Sequence, residues 1–169
     1  EIPKEILDEW KKIGEKGEIL EKRWEENFNK KNTKIKNDFK STYVNSDLKN
    51  LESLIQKEKA KYFESKPSLA TRQCSMASIE IISTIIPQLI GGSADLSGSN
   101  NTKTNNSKIV NAKNFDGNYI HYGVREHGMS AVMNGLALYG GLIPYGGTFL
   151  IFSDYSKPSI RLSALMGLR

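Results

Sequence analysis

The sequence predicts an α/β fold: a partial parallel sheet flanked by helices and preceded by a charged helical linker. Three observations carry this. Residues 118–155 (NYIHYGVREHGMSAVMNGLALYGGLIPYGGTFLIFSDY) read as strand, helix, strand and aromatic cluster, and two apolar runs joined by a helix of this length form a βαβ unit. A short small-residue run, Leu89 to Leu96, adds a strand that ends in an aspartate. Charge density then divides the chain: residues 1–66 carry 16 basic and 14 acidic side chains, and residues 67–169 carry 8 and 5. The domains expected are therefore a linker over 1–66 and an α/β domain over 67–169.

Residues 1–66 bury little, so they read as solvated helix. Apolar residues recur at Ile2, Ile6, Leu7, Trp10 and Ile13, then at Ile19, Leu20 and Trp24, the spacing of amphipathic helices. Gly14 and Gly17 predict a turn between them. Asp47 to Phe63 predicts a further helix, with Leu48, Leu51, Leu54 and Ile55 on one face. Acids alternate with bases and no aromatic–basic patch stands out, so the net charge of +5 and pI near 9.2 do not argue for nucleic acid.

Ser65-Lys66-Pro67-Ser68 punctuates the end of the charged region. A helix is expected from Leu69 to about Ile86, with Ala70, Cys74, Ala77 and Ile81 as its buried stripe. Cys74 then reads as a small core residue. As the single cysteine it allows no intrachain disulfide, which fits a reducing, cytoplasmic setting. No apolar run approaches a membrane span. By pattern alone Arg72 is a solvent-facing helical arginine. Gly91-Gly92-Ser93-Ala94 lets another backbone or a ligand come close. Asp95, at that strand's end, is by pattern more often a turn or capping residue than a site residue. Residues 100–117 form a polar, turn-rich surface loop, and its two formal glycosylation sequons read as inert loop sequence.

Tyr119, Ile120, Tyr122 and Val124 form the next β-prone run. Met129, Val132, Met133 and Leu136 cover one face of the helix that follows, which Gly140 and Gly141 end. Leu142 to Leu150 is the second apolar run. Glu126 stands in the helix's first turn, where an acid is ordinary. Phe149, Phe152 and Tyr155 are spaced by three, a spacing more often seen in cores than in sites. His121 reads as structural, and with His127 the only other histidine no zinc site is expected. Pro158 is expected to begin or kink the last helix.

GNYIHYGVREHGM followed by PYGGTFLIFSDY, with GGSADLSGSN upstream, resembles the transketolase family in the domain that receives the pyrimidine ring of thiamine diphosphate. Pro3, Glu5, Trp10 and Trp24 resemble that family's link between its first two domains. The resemblance implies that Glu126 hydrogen-bonds a nitrogen of the aminopyrimidine and so favours the tautomer that deprotonates the thiazolium carbon. A buried carboxyl that holds a proton suits this role. It also implies that Phe149, Phe152 and Tyr155 wall the pyrimidine and that Asp95 lies near the thiazolium ring. Ala70-Thr71-Arg72 matches the family's ATR motif, so Arg72 would grip a substrate phosphate, for which its planar fork is suited, and Ser99 would contact the same phosphate. Gly98 stands where the family usually has proline, and Lys157-Pro158 where it has small residues.

The function implied is ketol transfer: moving a two-carbon unit between ketose and aldose sugar phosphates with thiamine diphosphate and a divalent metal, Mg or Ca. The diphosphate and metal would be held by a domain outside these residues, and the site would form between the subunits of a homodimer. A complete family member continues past Arg169, so the 169 residues alone are expected to be inactive. Two other readings stay open: a dihydroxyacetone synthase-like ketol transferase, and a truncated, non-catalytic dimerisation module.

Overall fold

A computed structural model describes residues 2–43 and 48–168. By its internal contacts the chain divides into two units, Glu1–Ser41 and Thr42–Arg169.

In the first unit α1 runs without a break over Lys4–Asn29. The turn expected at Gly14 and Gly17 is absent. Each glycine costs a helix about 1 kcal/mol relative to alanine, but the surrounding Glu and Lys residues are good helix formers. Ion pairs along the helix, Lys12 with Glu9 at 2.7 Å and Lys22 with Glu18 at 2.6 Å, add modestly to that. The break comes later, where Asn32 Oδ1 accepts the Ile35 N–H at 2.9 Å and so caps α2 (Thr33–Tyr43). Trp24 and Phe28 stack at 5.1 Å, and Phe39 of α2 closes on both rings at 5.8 and 5.1 Å.

The second unit opens with α3 (Leu48–Ser65) and α4 (Thr71–Ile85). Asp47, where the third helix was expected to begin, lies outside the described residues. Ala77, Ile81 and Ile82 of α4 face Ile55 and Tyr62 of α3. Cys74 is exposed, as is Ala70, which corrects the expectation of a buried stripe through both. The packed stretch of α4 begins a turn later, at Met76–Ala77.

Among the described residues, β1 (Leu89–Ser93), β2 (Tyr119–His121) and β3 (Ile143–Gly147) form one parallel sheet in the order β2-β1-β3. The expected strand–helix–strand unit is thus present with β1 between its two strands. Register pairs Ser93 with both His121 and Gly147. Both flanking strands therefore end earlier than their apolar runs predict, because β1 offers no partner beyond Ser93. The small side chains of β1 serve packing: a Cβ at Gly91 would collide with the Tyr145 ring, and one at Gly92 with the Ile120 carbonyl. The core is small and centres on Ala94, Tyr119 and Met129.

Helix α6 (Glu126–Tyr139) ends at Gly140 and Gly141, both at positive φ. Beyond β3 a 3₁₀ turn, Leu150–Phe152, feeds α7 (Ser153–Leu165). Pro158 lies inside α7 and does not begin it. A short helical turn, α5 (Ser97–Asn100), follows β1.

Candidate active site

The carboxyl ends of the three strands converge, and in open parallel sheets this is where ligands bind. Each strand delivers one part of the candidate site. After β2, Gly123 adopts φ 68°, a conformation that favours glycine. Arg125 Nη1 donates to the Tyr122 carbonyl at 2.9 Å, and the Arg125 N–H to the Gly123 carbonyl at 2.8 Å. This braced turn sets Glu126 as the first residue of α6. The helix dipole there favours a negative charge.

After β3 the chain presents Phe149, Phe152 and Tyr155 as a ladder. Adjacent rings lie 5.9 and 6.2 Å apart and within 20° and 26° of parallel. The ladder is accessible, with Tyr155 64% exposed. After β1, Asp95 takes φ 62°, a left-handed conformation that aspartate tolerates better than most residues.

Ala94, Asp95, Val124, Glu126, Phe152 and Tyr155 border one cavity of about 420 Å³, with Phe149 joined to it by its stack on Phe152. Glu126 is half-buried, so full burial of its carboxyl is not reached within these residues. Arg72, exposed at the start of α4, borders a second cavity of about 580 Å³ with Asn100, Thr102, Gly147 and Thr148. Ser99 is exposed and borders neither cavity. The structure therefore groups Asp95, Glu126 and the rings, and leaves Arg72 and Ser99 outside that group.

Sequence reasoning missed a buried polar network beneath this surface. Ser93 Oγ donates to the Gly147 carbonyl at 3.0 Å and accepts from Asn100 Nδ2 at 3.0 Å and from the Leu96 N–H at 3.1 Å. The fully buried Tyr119 hydroxyl bonds Ser97 Oγ at 2.7 Å and Thr102 Oγ1 at 2.9 Å. Tyr145 donates to the Thr102 carbonyl at 3.0 Å. Together these bonds tie the segment around the Asp95 turn to the start of β2 and to β3. Thr102 and Thr104 are buried, so the loop expected to lie wholly on the surface is anchored at its start, while Lys113–Asp116 are exposed. No local signal marked the tyrosine, because Tyr119 and His121 stand two apart on one strand and so share a face. Burial pushes the Tyr145 hydroxyl up to about 12, with the nearby Tyr119 adding to the effect, and raises Tyr122 as well.

His121 is exposed and meets Tyr119 edge-on at 5.2 Å. His127 Nδ1 lies 3.2 Å from Ser159 Oγ. Among the described residues, no group of three or more His, Cys, Asp or Glu residues is placed to hold a metal ion, and no helix is long and apolar enough to cross a membrane.

The chain is 42% identical over 167 residues to a transketolase of Sinorhizobium medicae, a match spanning 99% of this chain and 24% of that protein. It is 42% identical over 168 residues to a transketolase of Cereibacter sphaeroides, spanning 99% and 25%. The chain thus spans about a quarter of the length of these curated relatives. A crystal structure of a Pichia stipitis transketolase complexed with xylulose-5-phosphate superposes with a TM-score of 0.81 at 28% identity, covering 99% of this chain and 26% of that one. A Campylobacter jejuni transketolase superposes at 0.72 with 30% identity, covering 90% and 22%. The profile of the family described as transketolase, pyrimidine binding domain, matches residues 67–169, and the chain belongs to the transketolase family.

Proposed function

We propose that these residues supply the pyrimidine-binding side of a ketol-transfer site that moves a two-carbon unit between ketose and aldose sugar phosphates. The observation that carries this reading is the single cavity bordered by Glu126 on one helix and by the Phe152 and Tyr155 rings on another. A flat heteroaromatic ring fits such a setting, with aromatic faces beside it and a carboxyl at its edge. Thiamine diphosphate, when bound, supplies the electron sink for carbanion chemistry. Glu126 would hold a proton at the ring's edge, the aromatic ladder would exclude water, and Asp95 would border the reacting end.

Arg72 and Ser99 would take the sugar phosphate. The Pichia stipitis relative, crystallised with xylulose-5-phosphate, supports that substrate class. The diphosphate and its divalent metal would be held by residues beyond this chain, in a homodimer whose cytoplasmic setting the single cysteine favours. Exposed apolar side chains support coverage by further protein: Leu138, Tyr139, Leu150, Ile151 and Leu165 are all exposed, more than an isolated domain commonly shows.

The test is Glu126→Ala in the complete polypeptide. Exchange of the cofactor's C2 proton should slow by about 100-fold or more, as for loss of a positioned acid–base group; exchange at the unmodified rate removes Glu126 from the chemistry. Assaying the unmodified protein with ribose phosphate against formaldehyde separates a transketolase from a dihydroxyacetone synthase. Failure of the complete protein to bind thiamine diphosphate would leave only a dimerisation module.

A further inference from the structure

We infer that Ser156 is a positioning residue for Glu126, tying the glutamate's helix to the helix that carries the rings; this rests on the reading of Glu126 given above. Among the described residues, the buried side chains of α7 are two serines, Ser156 at 3% exposure and Ser159 at 2%. A helix face buried against a neighbour is ordinarily apolar, and a hydroxyl buried there is costly unless it finds a partner. Both serines find theirs in the first turn of α6. Ser156 Oγ donates to the Glu126 carbonyl at 3.0 Å. Ser159 Oγ lies 3.2 Å from His127 Nδ1, and Asn134 Nδ2 of α6 donates back to the Ser159 carbonyl at 2.9 Å.

The placement follows from chain order. Ser156 directly follows Tyr155, and Phe152 lies one turn before it. The residue that grips the Glu126 backbone therefore sits on the same rigid turn as the two rings that face the Glu126 side chain across the cavity. A helix-to-helix bond thus adds to the sheet in setting the spacing between carboxyl and rings. Ser130 Oγ also donates to the Glu126 carbonyl at 3.0 Å. Removing the Ser156 hydroxyl thus leaves that carbonyl satisfied within its own helix and loses only the tether. Site geometry tolerates displacements of only a few tenths of an ångström before function suffers.

The experiment uses the complete polypeptide and three variants: Ser156→Ala, Glu126→Gln and Ser83→Ala. Ser83 makes a hydroxyl-to-carbonyl bond within a single helix, to Glu80 at 2.9 Å in α4, away from the cavity. Affinity for thiamine diphosphate is read by quenching of intrinsic fluorescence, the C2 proton exchange rate on the bound cofactor by NMR, and stability by thermal unfolding. Ser156→Ala should weaken affinity and slow exchange by about three- to tenfold each, the worth of one hydrogen bond. Ser83→Ala should leave both at the unmodified values even where its Tm falls equally. Ser156→Ala values within about twofold of unmodified, or equal losses in Ser83→Ala, overturn the tether. If Glu126→Gln abolishes exchange while Ser156→Ala does nothing, the tether alone fails. If Glu126→Gln leaves exchange untouched, the reading of Glu126 fails and the tether falls with it.

Discussion

Tyr145 shows how much of this site lies below the residues that sequence singles out. Its ring occupies the space that Gly91 leaves open, and its hydroxyl reaches the Thr102 carbonyl. By pattern alone Asp95, Glu126 and the three aromatic residues read as turn, helix-start and core residues, and only through the resemblance to the family's motifs were they singled out. Tyr145 and Thr102 were not, because their partnership spans a polar loop whose path no local pattern specifies. The partnership is testable through pH. Burial raises the Tyr145 hydroxyl from 10.0 to about 12, so between those values the folded chain keeps a proton that the unfolded chain releases. Stability that is fully present below pH 10 should therefore decline as pH climbs toward 12. Tyr145→Phe should flatten this decline while costing about 1 kcal/mol at neutral pH, the worth of the lost hydrogen bond. Denaturant midpoints measured across that range for both chains check it. Parallel curves would show that the hydroxyl is not buried as described.

At the scale of elements, the sequence located helices well where their ends carry chemistry. α6 begins at an acid and stops at paired glycines at positive φ, and both signals were visible in advance. Strand ends were not, because a strand lasts only as long as its partner. β3 stops at Gly147 because β1 has ended at Ser93, and no apolar run encodes that. α1 is the opposite failure: two glycines looked like punctuation, yet the helix passes through them. At neither position does a side chain or another element come within 4 Å of where a Cβ would stand. Gly14→Ala and Gly17→Ala should therefore each stabilise α1 by about 1 kcal/mol. Amide hydrogen exchange across Lys4–Asn29 should slow by roughly fivefold per substitution if α1 opens locally. Unchanged or faster exchange would mean that α1 needs its glycines for a bend or a close contact.

At the scale of the whole molecule, the small core and the exposed apolar side chains have a consequence for activity. The buried hydrophobic residues centre on Ala94, Tyr119 and Met129, whereas Leu150 is 89% exposed and Ile151 72%. The same incompleteness appears at the site: Glu126 is half-buried and the ring ladder is open to solvent. A site that admits water weakens every electrostatic interaction within it. A verified 169-residue product should therefore show no ketol transfer with xylulose-5-phosphate and ribose-5-phosphate at saturating thiamine diphosphate and Mg²⁺. The complete polypeptide should be active under the same conditions. Intact mass must be measured on the assayed sample, because contamination by longer chains would mimic activity. Turnover by the 169-residue product itself would mean that these residues, alone or as a self-assembled pair, close the site and hold the diphosphate. Glu126 would then have to reach full burial by a rearrangement of α6 and α7, which the Ser156 and Ser159 contacts oppose.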